Sequence, residues 1–295
     1  MKTVVFPLPG NENLARSIAD NLGAETGALS VRRFPDGESY IRYMCPVEGQ
    51  RIILVCTLDR PDGKFLPLVF SAAAARDLGA AKIGLVVPYL AYMRQDRRFS
   101  PGEAITSAYF AQVLDHWFDW LVTVDPHLHR RGSLSEIYSI PTASLHAAPV
   151  ISDWIRETIK SPVLIGPDSE SEQWVAAAAD GAGAPFIVLE KTRLGDRDVK
   201  ISVPNVERWR DRTPVLVDDI ISTAQTMIET VGHLKTAGLA PPVCVGIHAV
   251  FANKAYEALQ EAGAGQIVSC NTIPHSSNAI DLTELLADGV RSLSI

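Results

Sequence analysis

Eight short runs rich in valine and isoleucine recur along the chain, with segments of helical length between them. They are TVVFPL (3–8), RIILVCT (51–57), AKIGLVVPY (81–89), WLVTVD (120–125), SPVLIG (161–166), APFIVLE (184–190), TPVLVDD (213–219) and PVCVGIHAVF (242–251). A strand that is apolar along its whole length has no face to give to water, so it belongs inside a sheet covered on both sides. Parallel pairing needs a long crossover, and GKFLPLVFSAAAARDLG (63–79) and ISTAQTMIETVGHLKTAG (221–238) have the length of covering helices. The class is α/β, with mostly parallel sheets flanked by helices. A chain of 295 residues is long enough for two such domains. The strand series breaks at SIPTASLHAAP (139–149), ahead of a fresh helix over 150–160. The expected domains are therefore 1–143 and 144–295, with the C-terminal tail free to pack back on the first. The halves are of similar length and read as related, although no residue-level repeat is visible.

Composition narrows the function classes. A net charge of −7 is the wrong sign for a general nucleic-acid binder, which shows a basic footprint. No apolar stretch approaches the roughly 20 residues that span a bilayer, and the N-terminus MKTVVFPLPG is too short and too interrupted by proline for a signal peptide. Cys45, Cys56, Cys244 and Cys270 form neither a CxxC pair nor a metal framework. They read as small hydrophobes in a reducing, cytoplasmic setting.

Several strand candidates end in polar clusters: VVPYLAYMRQDRR, LVTVDPHLHRR, VLIGPDSES and VLVDDIIST. Ligands of open parallel sheets bind outside the carboxyl ends of the strands, so these clusters share a functional address. VLVDDIISTAQTM (215–227) is the most pointed of them, because a buried strand ends on Asp218 and Asp219 and hydroxyls crowd the start of the next helix. Backbone N–H groups and the positive dipole end there suit a phosphate, with Thr223 and Thr226 as added donors. Helix capping by Ser222 or Thr223 is the plainer alternative. One segment departs from simple βα alternation: RRFPDGESYIRYM (32–44) reads as a projecting hairpin around a Pro-Asp-Gly turn.

Seven pieces in order give a resemblance to the ribose-phosphate pyrophosphokinase family, the PRPP synthetases. They are FPDGE (34–38), VPYLAYMRQDRRF (87–99), VTVDPHLH (122–129), LIGPDSES (164–171), LEKTR (189–193), VLVDDIISTAQT (215–226) and NTIP (271–274). The resemblance implies two related phosphoribosyltransferase-type domains and transfer of the diphosphoryl group of ATP to the C1 hydroxyl of ribose 5-phosphate. It implies Mg²⁺, held mostly by phosphate oxygens and water with few protein ligands. Residue by residue, Phe34, Asp36 and Glu38 match an adenine-recognising hairpin that reaches into a neighbouring subunit, hence a homo-oligomer, dimer or hexamer, with a shared active site. Arg94, Gln95 and Asp96 match a nucleotide-contacting RQD. His127 matches a histidine on the metal–triphosphate unit, and Asp168 matches an acid holding metal or its water. Lys191 and Arg193 match a catalytic pair that neutralises charge in the transition state, on a mobile loop for which Gly195-Asp196 is a fitting tip. Asp218 and Asp219 match the ribose and metal site. Ser222, Thr223, Ala224, Gln225 and Thr226 match the 5-phosphate loop.

Two stretches depart from the family pattern. PDSES replaces a glycine-bearing continuation with Ser169, Glu170 and Ser171, adding negative charge beside a polyphosphate seat. In the phosphate loop Ser222 and Gln225 stand where many members carry Asp and Gly, and the DDIIST wording resembles the archaeal-type branch. Two other readings stay open: a phosphoribosyltransferase consuming PRPP, and a catalytically weak regulatory homologue.

Overall fold

The computed structural model describes residues 1–128, 130–166, 172–193, 199–202 and 206–293. Contacts divide the chain into two compact units. The first comprises Met1–His146, Thr272–Pro274 and the stretch from Leu282, and the second comprises Ala147–Asn271 and His275–Asp281.

The first unit contains β1 (Thr3–Pro7), α1 (Glu12–Leu22), β2 (Glu25–Thr26), β3 (Leu29–Arg33), β4 (Ser39–Tyr43), β5 (Arg51–Val55), α2 (Asp62–Asp77), β6 (Lys82–Val86), α3 (Thr106–Trp117), β7 (Trp120–Val124) and β8 (Thr142–Leu145). Six strands form one sheet in the order β2-β1-β5-β6-β7-β8, and every pair is parallel. The second unit contains α4 (Ala148–Thr158), β9 (Pro162–Gly166), α5 (Glu172–Ala182), β10 (Phe186–Val188), β11 (Glu190–Arg193), β12 (Val199–Ser202), β13 (Thr213–Ile221), α6 (Gln225–Thr236), β14 (Val243–Ala249), α7 (Ala255–Ala262), β15 (Gln266–Cys270) and β16 (Asn278–Ile280). Its sheet runs β10-β9-β13-β14-β15-β16, again parallel throughout. The chain ends in α8 (Thr283–Leu293), which belongs to the first unit.

With the two hairpins set aside and strands counted within each unit, both sheets have the same order, 2-1-3-4-5-6. Each hairpin, β3–β4 or β11–β12, is antiparallel and leaves the chain at the same point, after the second strand. The kinship of the halves therefore lies in topology. The central strands are buried as their uniform apolar sequence requires: Ile52 to Val55, Leu121, Val122 and Val215 to Val217 are all 1% exposed or less.

SIPTASLHAAP differs from the expected connection, since Thr142–Leu145 within it is the edge strand β8, paired with β7. An edge strand is only half covered, and all four of its residues are half-buried. Thr, Ala and Ser satisfy it without an apolar run. The helix expected over 150–160 starts two residues earlier, with Pro149 in its first turn, where no donor is lost. The carboxyl strands β15 and β16 were not among the eight runs; β15 begins on an exposed glutamine and β16 has three residues.

Buried polar groups are paired where they tie segments of the first unit together. Asn11, 2% exposed, accepts the Thr57 N–H at 2.9 Å, and the Thr57 hydroxyl donates to the Thr272 carbonyl at 2.8 Å. The C-terminal helix is held by close packing: a Cβ on Gly289 would lie 2.8 Å from Leu145 and 2.9 Å from Val122. All four cysteines are free thiols, and burial pushes those of Cys56 and Cys244 up to about 12, which suits packing and not reactivity. Among the described residues no helix is long and apolar enough to cross a membrane.

Gly84 on β6 makes a test of this core. The Trp120 indole of the neighbouring strand lies over it, so that an added Cβ would fall 1.9 Å from the ring. Gly84→Ala is expected to destabilise the first unit by at least ~1–3 kcal/mol, the usual cost of overpacking. The measurement is thermal unfolding followed by circular dichroism, and an unchanged melting temperature would contradict the packing.

Candidate active site

In the first unit the polar clusters follow the carboxyl ends of β6 and β7. The loop after β6 carries Arg94, Gln95 and Asp96 before α3 begins. Asp96 has its side chain only 7% exposed and receives both hydrogen bonds of Arg130 Nη1, at 3.1 and 3.3 Å. Arg131 Nη2 donates to the Asp96 carbonyl at 3.1 Å and to Ser107 Oγ at 3.3 Å. Asp96 thus locks the loop after β6 to the loop after β7, leaving Arg94 exposed and Gln95 half-buried. Arg97 lies over the Phe99 ring at 4.9 Å, and Arg98 donates to the Glu103 carbonyl, so both arginines are folded onto their own loop. Sequence reasoning did not assign Arg130 and Arg131, whose only signal was their place in DPHLHRR.

His127 is half-buried in the loop after β7, two residues past Asp125. Asp125 has φ +33°, a left-handed conformation that few residues other than glycine adopt, and its carboxylate accepts from His146 Nδ1 at 3.0 Å. His129 lies outside the described residues.

The FPDGE segment is the turn of the β3–β4 hairpin. The Phe34 N–H donates to the Glu38 carbonyl at 2.8 Å and the Gly37 N–H to the Phe34 carbonyl at 2.9 Å, with Gly37 at φ +94°. Asp36 spends Oδ1 on the Glu38 N–H at 3.2 Å, so it shapes the turn. Phe34 is 40% exposed, edge-on to Tyr40, and Arg32 stacks over both rings at 4.9 and 3.9 Å. Residues 32–38 are all exposed.

In the second unit β13 does not stop at its acids. It continues to Ile221 because β14 offers a partner that far, with Ile220 opposite His248 and Ile221 opposite Ala249. Asp218 and Asp219 are therefore half-buried within the strand, and each carboxylate accepts the N–H of the following residue, at 3.0 and 2.8 Å. Three residues then turn the chain into α6. Ala224 occupies the N-cap with φ +57° and ψ 10°, and no side chain caps the helix. Capping by Ser222 or Thr223 is thereby set aside: the first N–H groups of α6 have no partner within the helix. The turn is pinned from below, where the Phe251 N–H donates to the Ile221 carbonyl at 2.9 Å and the Ala252 N–H to the Ser222 carbonyl at 3.0 Å. Thr223 and Gln225 are exposed and Thr226 is half-buried. The Gln225 carboxamide turns back along the helix and donates to Glu229 Oε1 at 2.9 Å, which leaves the helix start uncovered.

Lys191 and Arg193 lie on β11, opposite Ile201 and Val199 of β12. Asp168, the PDSES departure and the Gly195-Asp196 tip lie outside the described residues. Among the described residues no group of three or more His, Cys, Asp or Glu side chains forms a metal cage. Asp218 and Asp219, successive residues of β13, offer hard carboxylate oxygens, the donor type that suits a hard cation bound chiefly through a ligand's own phosphates.

A family model described as the N-terminal domain of ribose phosphate pyrophosphokinase matches residues 3–117, and the phosphoribosyl transferase domain matches 133–285. Ribose-phosphate pyrophosphokinase from Methanopyrus kandleri is 31% identical over 293 residues, with 99% of both chains covered. The chain belongs to the ribose-phosphate pyrophosphokinase family. A relative of the same name from Methanothermobacter thermautotrophicus is 31% identical over 286 residues, covering 97% of this chain and 99% of its own. The crystal structure of phosphoribosylpyrophosphate synthetase from Mycobacterium smegmatis superposes with a TM-score of 0.85 over 100% of this chain and 99% of its own, at 23% identity, which establishes the two-domain fold.

The Gln225–Glu229 pair sets a signed expectation. Glu229→Ala releases the carboxamide and removes a negative charge from the first turns of α6, and both changes favour an anion at the helix start. Such helix-end charges are worth about 0.3–1 kcal/mol, so ribose 5-phosphate should bind roughly two- to fivefold tighter in a calorimetric titration. Unchanged or weaker binding would refute the account of this loop.

Proposed function

We infer that the chain transfers the diphosphoryl group of ATP to the C1 hydroxyl of ribose 5-phosphate, yielding PRPP and AMP. The observation that carries this reading is the end-to-end match to relatives named ribose-phosphate pyrophosphokinase, spanning the first unit as well as the phosphoribosyl transferase domain. A phosphoribosyltransferase consuming PRPP would use the second unit alone and gives no reason for the first. A weak regulatory homologue would have no need to keep Lys191, Arg193 and the pinned loop after β13 together.

The roles follow from where the charges must go. The C1 hydroxyl oxygen attacks the β-phosphorus and gives up its proton to solvent, the bond between the β-phosphorus and the α,β-bridging oxygen breaks, and AMP departs carrying that oxygen. Ser222 to Thr226 seat the 5-phosphate by backbone N–H groups at the start of α6 together with the Thr223 and Thr226 hydroxyls. Asp218 and Asp219 accept from the ribose hydroxyls and orient C1. Lys191 and Arg193 neutralise the diphosphoryl oxygens as charge develops. Arg94, Gln95 and His127 hold the nucleotide triphosphate. Phe34 offers a face to adenine, and Asp36 and Glu38 take part in that contact from the hairpin of a second copy, so the active form is a homo-oligomer. Mg²⁺, when bound, supplies charge neutralisation on the triphosphate; His127, Asp168 and the Asp218–Asp219 pair are the residues that would hold it or its waters.

The test is to incubate the protein with ATP, ribose 5-phosphate and Mg²⁺ and follow AMP. Formation of AMP that depends on the sugar phosphate is expected, and its absence would sink the reading. Lys191→Ala should lower kcat by about 10²–10³, the usual cost of one transition-state donor. Ribose 5-phosphate affinity should meanwhile stay within roughly twofold, because the charge Lys191 meets appears mainly in the transition state. Equal losses in both would remove Lys191 from the catalytic role.

A further inference from the structure

His146 stands outside every motif that marks this family in the chain, yet it holds the turn that carries His127. Strands β7 and β8 pair in register to their last residues, Val124 opposite Leu145, so the residues that follow them, Asp125 and His146, emerge together. The Asp125 N–H donates to the Leu145 carbonyl at 2.9 Å, and His146 Nδ1 meets Asp125 Oδ1 at 3.0 Å. An ionised carboxylate only accepts, so Nδ1 is the donor in this bond. The Asp125 side chain is 9% exposed, whereas the His146 ring is 75% exposed. The ring thus contributes a directed hydrogen bond and little packing. Asp125 sits at φ +33°, an unfavourable region for a residue with a Cβ, and the bond from His146 helps hold it there, at the point where the chain turns toward Pro126 and His127.

We infer that His146 is a positioning residue for nucleotide binding, acting through Asp125 to fix the turn that presents His127. The inference rests on the reading of that turn as part of the ATP half of the site. It implies that the loop after β8, which in sequence looked like a plain connection, contributes to ATP affinity without touching ATP. The bond is made by Nδ1, so asparagine, whose amide nitrogen reaches a similar place, should replace the histidine, and glutamine, which extends one carbon further, should not.

The experiment compares wild type with His146→Ala, His146→Asn and His146→Gln. Long-range ¹H–¹⁵N spectra of the imidazole rings should show the His127 resonances displaced in the alanine and glutamine variants and restored in the asparagine variant. Calorimetric titration should find MgATP binding weakened roughly three- to tenfold by alanine, the size of one lost hydrogen bond, and recovered to within about twofold by asparagine. Ribose 5-phosphate binding and melting temperature should be unchanged in all three, since a merely structural role would move those as well. His127 resonances that ignore His146→Ala would overturn the positioning role, as would equal weakening of both substrates. Should the resonances respond as expected while wild-type protein fails to bind MgATP, the functional reading falls and the positioning of His127 stands.

Discussion

Everything chemical in this protein depends on one constraint: both six-stranded sheets are parallel from edge to edge. A parallel ladder forces each strand to be followed by a crossover and directs all carboxyl ends to one side. The loops after β6 and β7 are neighbours for that reason, and Arg130 and Arg131 can reach back 34 and 35 residues to Asp96. The same geometry lets the loop after β14 support the loop after β13 through Phe251 and Ala252. Phe251, Asn253 and Lys254 take positive φ to make that support, so the chain accepts local strain to hold the turn before α6 from below.

Much of this was legible because burial on both faces leaves an unmistakable signature. Runs such as RIILVCT and TPVLVDD could be read as interior strands without knowing their partners, and the Pro-Asp-Gly turn announced its hairpin. The edge strand Thr142–Leu145 was not legible, since a half-covered strand of Thr, Ala and Ser carries no hydrophobic period. At the site, residue types were readable and their allegiances were not. Asp36 binds its own turn, Asp96 binds Arg130 and Gln225 binds Glu229, each through a bond that only the folded backbone makes available. The extent of β13 was misjudged for a related reason: a strand ends where its neighbour's ladder ends, and two carboxylates do not stop it.

Shared topology invites a comparison of the two helix starts that follow the third strand of each sheet. The loops are built alike. In the second unit Ala224, at φ +57°, directly precedes α6; in the first Arg60, at φ +50°, precedes Pro61 and then α2. The difference lies in what fills the helix start. Helix α2 opens with Asp62, whose carboxylate accepts the Tyr92 hydroxyl, and Lys64 in the same turn pairs with Asp59 while donating to the Thr57 carbonyl at 3.0 Å. Burial, with the bond to Asp62 adding to it, pushes the Tyr92 phenol up to about 12, so it remains a donor at neutral pH. A side-chain carboxylate thus occupies the positive end of α2, where a phosphate would otherwise be favoured. The start of α6 carries no acid in its first turn, and its one long polar side chain, Gln225, is drawn away toward Glu229. One fold used twice thus presents two different helix termini, one filled by a side-chain carboxylate and one left open to an anion, and the difference follows the sequence of the turn and not the architecture that presents it.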